Sequence, residues 1–189
     1  MDNPHLTALL QQMTLEEKVA QLLQLTAHFH EGAESEGQVT GPMEEMGITE
    51  SMVTARGSVL GVSGAQAVID VQRSYLSKSR LGIPQLFMAD VVHGFKTIFP
   101  IPLAIGCSWD VDLVEKSAAV AAKESAMAGI HVTFAPMVDL VRDPRWGRVM
   151  ETTGEDPYLN SLFARAFVRG YHGGNLKEDT DRRPLFLLI

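Results

Sequence analysis

The chain has 189 residues, is 46% hydrophobic and carries a formal net charge of −7. That suits one domain, or a large piece of one, with an ordinary globular core, and it excludes a basic nucleic-acid binder. The longest apolar runs are far shorter than a membrane span, and the single cysteine, Cys107, excludes an internal disulfide. The opening MDNPHLTALLQQ shows no basic region followed by an apolar stretch, so no signal peptide is expected and the expected compartment is cytoplasmic.

Thr14-Leu15-Glu16-Glu17 fits a capping box, in which the Thr hydroxyl accepts from the amide three residues on and Glu17 reaches back. Val19, Leu22 and Leu23 then share one helical face, which reads as a helix that packs. Residues 30–52, rich in Gly and Glu and without a period, read as an exposed loop. His28 and His30 have no third ligand at a suitable spacing, so no metal site is expected. A short apolar run flanked by glycines, residues 57–62, predicts a buried strand. Residues 65–78 have helical period through Val68, Val71 and Tyr75. Residues 84–89 predict a second strand, ending on Asp90. A long Ala-rich helix follows, with Asp110 as its cap and Gly129 as its terminator, and then a third strand over residues 131–137. The last helix opens with Asp156 as cap and Pro157 at its first position. It carries Leu162, Phe163, Ala166, Phe167 and Tyr171 on one face and stops at Gly173-Gly174.

Alternating strands and helices are the grammar of a parallel α/β protein. Periodicity alone leaves a doubly wound sheet and a barrel both open. A doubly wound nucleotide-binding protein would carry a Gly-rich phosphate loop between a strand and a helix, and none is present. The densest polar stretch lies between the third strand and the last helix: Asp139, Arg142, Asp143, Arg145, Trp146, Arg148, Glu151, Glu155 and Asp156. A long polar loop leaving a strand end is where an α/β protein usually places its site. Cleaving a glycosidic bond takes two carboxyl groups flanking it. By residue type any two of Asp90, Asp139, Asp143, Glu151, Glu155 and Asp156 would serve, and each would equally serve as a solvated loop carboxylate.

The run DPRWGR at 143–148, followed by GEDPY at 154–158, resembles the N-terminal domain of glycoside hydrolase family 3, the β-glucosidase-like enzymes. LGIPQLFMADVVHGFKTIFPIPLA at 81–104 with Cys107-Ser108-Trp109-Asp110, and MTLEEKVAQLLQ at 13–24, agree with it in order and spacing, over roughly residues 13 to 178. The resemblance implies an α/β fold, a partial (β/α)8 TIM-type barrel of about the first three strand–helix units, because a full barrel takes about 250 residues. On this reading residues 1–180 are the N-terminal part of the barrel domain. Residues 181–189 are a non-family tail of a truncated or frame-shifted product, or else their apolar tip docks as a fourth strand.

The activity so implied is that of a retaining, exo-acting β-glucosidase, which forms a covalent glycosyl intermediate and needs no cofactor. Its partner is a small oligosaccharide or aryl β-glucoside, with neither nucleic acid nor membrane. β-Xylosidase is the nearest variant, and a non-catalytic fragment with weak sugar binding is the alternative. Asp90 matches a family Asp that binds sugar hydroxyls, a role suited to an ionised carboxylate that accepts two hydrogen bonds; a helix cap or a partner for an Arg is its plainer reading. Arg148 matches a family Arg that contacts the glucose-like unit, and its donor fork equally suits an ion pair with Glu151 or Asp156. His93, Lys96, Trp146 and Glu151 are possible pocket-lining residues, with Trp146 either a stacking platform or a packing residue. Arg142, Asp143 and Arg145 are expected to brace the loop. The family's nucleophile, an Asp in a Ser-Asp-Trp-like motif, its acid/base and its Lys-His pair have no counterpart here. No catalytic residue is assigned, and the 189-residue chain is expected to be inactive on aryl β-glucosides.

Overall fold

The computed structural model describes residues 3–26, 45, 47, 50–173 and 185–186. His28, His30 and most of the expected loop over 30–52 lie outside them. The chain divides into two compact units, Met1–Phe87 and Met88–Ile189.

In the first unit, α1 (Pro4–Gln12) is capped by Asn3, whose side chain accepts from His5 N–H at 3.0 Å. Helix α2 (Leu15–Ala20) opens with the predicted capping box: Glu17 N–H donates to Thr14 Oγ1 at 3.2 Å, and Thr14 N–H donates to Glu17 Oε2 at 2.9 Å. Arg80 closes on the same Glu17 carboxylate at 2.6 Å. The packing face expected from Val19 and Leu22 does not form: they are 60% and 87% exposed. The helix ends at Ala20, so Leu22 falls in the turn beyond it and the assumed helical spacing no longer applies. Strand β1 (Gln24–Thr26) follows at once.

After α3 (Glu50–Ala55), strand β2 (Ser58–Leu60) falls inside the predicted run and pairs in parallel with β1, from Gln24 opposite Ser58 to Thr26 opposite Leu60. A Cβ at Gly57 would run into the backbone of Gln21, so this approach needs a glycine. Helix α4 (Ala65–Lys78) buries Val68, Val71 and Tyr75, the three positions that its period singles out. Val59, Val62, Val68, Val71 and Phe87 make the core of this unit. Strand β3 (Leu86–Ala89) begins beside β2, with Leu86 N–H donating to the Gly57 carbonyl at 3.0 Å.

In the second unit, Met88 and Ala89 of β3 pair in parallel with Val132 and Thr133. Helix α5 (Pro102–Gly106) comes first, and α6 (Val111–Met127) is capped by Asp110, which accepts from Leu113 N–H at 2.9 Å. Gly129 then turns the chain at a φ of 86°. The predicted strand over 131–137 is realised as ladder only in β4 (Val132–Thr133). Phe134 N–H still reaches the Ala89 carbonyl at 3.2 Å, but Pro136 has no N–H to continue the ladder, and its peptide bond with Ala135 is cis. Helix α7 (Pro157–His172) has Asp156 as cap, Pro157 at its start and a left-handed Gly173 at its end, as predicted. Phe163, Ala166, Phe167 and Tyr171 pack with Val91, Val114, Ala118, Ala121 and Ala122 in the core of this unit, while Leu162 is half-buried. Leu185–Phe186, from the expected tail, form β5 and pair in parallel with β4.

The parallel α/β order of the predicted partial barrel is therefore present. β1 adds to the three strands read from the sequence, and β5 falls in the apolar tip of the tail, for which docking as a fourth strand is the alternative reading. No helix among the described residues is long and apolar enough to cross a membrane.

Candidate functional site

Asp90 follows the last residue of β3, where a parallel strand delivers its site residues. Its neighbour Val91 is fully buried, and the Val91 carbonyl accepts from the Tyr171 hydroxyl at 2.6 Å, so α7 pins the backbone next to the carboxylate. Asp90 is exposed as a whole residue, yet burial is the largest influence on its carboxyl and raises its pKa. Together these describe a group with protein on several sides and one side open. The Glu151 carboxylate raises the Asp90 pKa further, and the Arg148 guanidinium opposes both.

Arg148 and Glu151 are set by a 3₁₀ turn, Val149–Glu151, in which Glu151 N–H donates to the Arg148 carbonyl at 3.0 Å. The side chains then face each other: Arg148 Nε and Nη2 donate to Glu151 Oε2 at 3.0 and 2.6 Å. Nη2 also lies 3.6 Å from Met137 Sδ. Glu151 raises the pKa of Arg148, with Asp139 and Asp90 adding to the effect. Of the two ion-pair partners considered for Arg148, the structure takes Glu151; Asp156 is occupied in capping α7. The fold therefore brings three of the six sequence-predicted residues, Asp90, Arg148 and Glu151, within electrostatic reach of one another.

The other three are anchored elsewhere. His93 is half-buried, with Nδ1 3.0 Å from the Phe99 carbonyl. Lys96 and Thr97 both donate backbone N–H groups to Glu124 Oε2 at 2.8 Å, and the Lys96 ammonium sits 5.7 Å from the centre of the Phe95 ring. Trp146 is half-buried and held by its backbone, donating to the Asp143 carbonyl at 3.0 Å and accepting from Val149 at 3.3 Å. Arg145 grips Asp143 through Nε and Nη2, at 2.9 and 2.5 Å, the loop brace that the sequence predicts.

Two residues of the scaffold escape the sequence reading. Asn160 on α7 is buried; its Nδ2 donates to the Val138 carbonyl at 2.9 Å and its Oδ1 accepts from Thr153 Oγ1 at 2.5 Å. It thus ties both ends of the 138–153 loop to one helix. The signal was available: Asn160, Phe163 and Phe167 lie at helical spacing, so an amide sat on the core face and needed partners. Glu124 on α6, which gathers the 96–97 backbone, gave no comparable signal.

A cavity of about 190 Å³ lies within the first unit, lined by residues that include Met13, Glu17, Tyr75, Lys78 and Arg80. None of the six predicted residues lines it. Among the described residues no cluster of three or more His, Cys, Asp or Glu side chains is placed to hold a metal ion. What the Asp90–Arg148 arrangement offers is an acceptor beside a fork of donors. That suits neighbouring hydroxyl groups, each of which both donates and accepts.

The family model described as "Glycosyl hydrolase family 3 N terminal domain" matches residues 14–179. A "Periplasmic beta-glucosidase" of Salmonella typhimurium is 37% identical over 176 residues, covering 93% of this chain and 21% of the relative. A "Putative beta-xylosidase" of Formosa agariphila is 33% identical over 176 residues, covering 88% of this chain and 23% of the relative. Among solved structures, a β-glucosidase from Listeria innocua in complex with glucose superposes with a TM-score of 0.90 at 49% identity, over 100% of this chain and 26% of that one. A mutant of that enzyme in complex with laminaribiose gives a TM-score of 0.88. The chain spans about a fifth to a quarter of the length of these relatives.

Proposed function

Because the chain belongs to glycoside hydrolase family 3, through the N-terminal domain of that family, we propose that it is part of a β-glucosidase and that Asp90 and Arg148 grip the terminal sugar. The observation that carries this is the Asp90 carboxylate at the C-terminal end of β3, partly desolvated and paired electrostatically with a guanidinium that is already oriented. An ionised Asp90 accepts from two neighbouring hydroxyls, and Arg148 donates to their oxygens. The complexes of the Listeria innocua enzyme with glucose and laminaribiose support sugar as the ligand class. The substrate is a β-linked glucoside, a small oligosaccharide or an aryl glucoside, and the reaction retains configuration through two carboxyl groups. The Formosa agariphila relative favours a second reading, a β-xylosidase; the two differ in whether the site receives a C6 hydroxymethyl group.

The test is a titration of the 189-residue chain with glucose and, separately, with xylose, followed by NMR. Saturable shifts centred on Asp90 and Arg148 are expected with glucose in the millimolar range, and they disappear in Asp90→Asn. Binding requires the ionised carboxylate, whose pKa lies above the ordinary 3.8. Affinity is therefore full at neutral pH and falls on acidification before an ordinary Asp would protonate. Glucose binding that is unchanged in Asp90→Asn would remove Asp90 from the site, and tighter binding of xylose would select the second reading.

A further inference from the structure

We propose that Glu151 is a positioning residue, which fixes the Arg148 guanidinium so that its Nη1 edge is left for a sugar held beside Asp90. This rests on the sugar-site reading above. A guanidinium has five N–H groups: one on Nε and two on each Nη. Glu151 Oε2 takes the Nε–H and one N–H of Nη2, at 3.0 and 2.6 Å, and Met137 Sδ lies 3.6 Å from the same Nη2. That leaves the two Nη1 hydrogens as the fork's uncommitted pair in these contacts. The geometry depends on local sequence, because the 3₁₀ turn Val149–Glu151 puts residues 148 and 151 on one side. Arg148 and Glu151 are 51% and 30% exposed in their side chains. An open arginine has many rotamers, and one held by a carboxylate through two donors has few, so a ligand meets a fork already oriented.

Glu151 also acts on Asp90 through charge. The charged groups that bear on the Asp90 carboxyl are Glu151 and Arg148, and those that bear on Arg148 are Glu151, Asp139 and Asp90. Glu151 cancels part of the attraction that Arg148 exerts on the Asp90 proton equilibrium. Removing the Glu151 charge leaves Arg148 less opposed, so Asp90 should ionise at lower pH. That shift reports the Glu151 charge beside Asp90, and the exchange of the Arg148 Nε–H reports whether Glu151 holds the guanidinium.

The experiment uses the full chain with ¹⁵N and ¹³C labels, as wild type, Glu151→Gln, Glu151→Ala and Asp90→Asn. Two readouts need no sugar: exchange of the Arg148 Nε–H with water, and the titration midpoint of the Asp90 carboxyl carbon. The expected result is a protected Arg148 signal in the wild type that exchanges rapidly in Glu151→Ala, with the Asp90 midpoint lowered in both Glu151 variants. Glucose affinity should fall roughly tenfold in Glu151→Ala, on the scale of a lost charge-assisted hydrogen bond, and less in Glu151→Gln, which keeps one acceptor. Unchanged Arg148 exchange together with an unchanged Asp90 midpoint overturns the proposal. A wild-type chain that shows both couplings and takes no glucose sinks the sugar reading while supporting Glu151 as the residue that orients Arg148.

Discussion

Asn160 shows how a residue far from any ligand chemistry can decide where that chemistry sits. Its amide meets the Val138 carbonyl on one side and the Thr153 hydroxyl on the other, with Asn160 and Thr153 both buried. Asn160→Ala strands a partly buried carbonyl and a buried hydroxyl, and stranded groups cost more than a made hydrogen bond gains. The expected loss is about 2–4 kcal/mol of unfolding free energy in urea, on the scale of one to two unsatisfied buried groups; a loss within experimental error would mean that the loop does not depend on this anchor. At this scale the sequence is readable where residue type dictates a partner. Asp110 and Asp156 are caps, Thr14 and Glu17 form their box, and Arg145 finds Asp143. It is unreadable where two partners compete on equal terms. By type and spacing Arg148 suits Glu151, Asp156 or a sugar, and only the 3₁₀ turn, with Asp156 engaged at the helix end, decides among the protein partners.

Helices α6 and α7 are held together by the absence of side-chain volume. Ala118, Ala121 and Ala122 offer a shallow surface, and Gly170 of α7 lies over it: a Cβ there would stand 2.6 Å from Ala118 Cβ and would press on the backbone carbonyl of Glu115. Two effects oppose each other in Gly170→Ala. Helix propensity favours alanine by about 1 kcal/mol, whereas overpacking against a backbone that cannot turn aside costs about 1–3 kcal/mol and occasionally more. The clash should win, with net destabilisation of about 1–2 kcal/mol in urea and a lowered Tm; a variant more stable than the wild type would show that the helices separate without cost. Elements of this length were legible because four or five turns repeat their period, as Val68, Val71 and Tyr75 do in α4 and Phe163, Phe167 and Tyr171 do in α7. Short elements were legible only in part: β2 was legible in its glycine-flanked run, and others were not. β1 has three residues, β4 stops ahead of Pro136, and the stripe of Val19 and Leu22 dissolves because α2 ends between them.

For the molecule as a whole, binding and bond cleavage make different demands, and the chain meets them unequally. A sugar is held by acceptors and donors placed together, and on the proposed reading Asp90 and Arg148 are that pair within the second unit. Cleavage with retention asks for a carboxylate nucleophile on one side of the glycosidic bond and a proton donor about 5 Å away on the other. The second carboxylate of the cluster, Glu151, already has its Oε2 engaged by two N–H groups of Arg148. No Ser-Asp-Trp run occurs anywhere in the 189 residues, and the letters of Ser108-Trp109-Asp110 are spent on the cap of α6. The relatives, about four times as long, have room for further groups that flank the bond. We therefore expect the purified chain to take up glucose and yet to release no chromophore from an aryl β-glucoside. The assay is absorbance of the liberated phenol over hours at high protein concentration, with Asp90→Ala as the control for contaminating enzyme. Release in the wild type that Asp90→Ala abolishes would place a working pair of carboxyl groups inside this chain, and Asp90 with Glu151 would then be the first pair to examine.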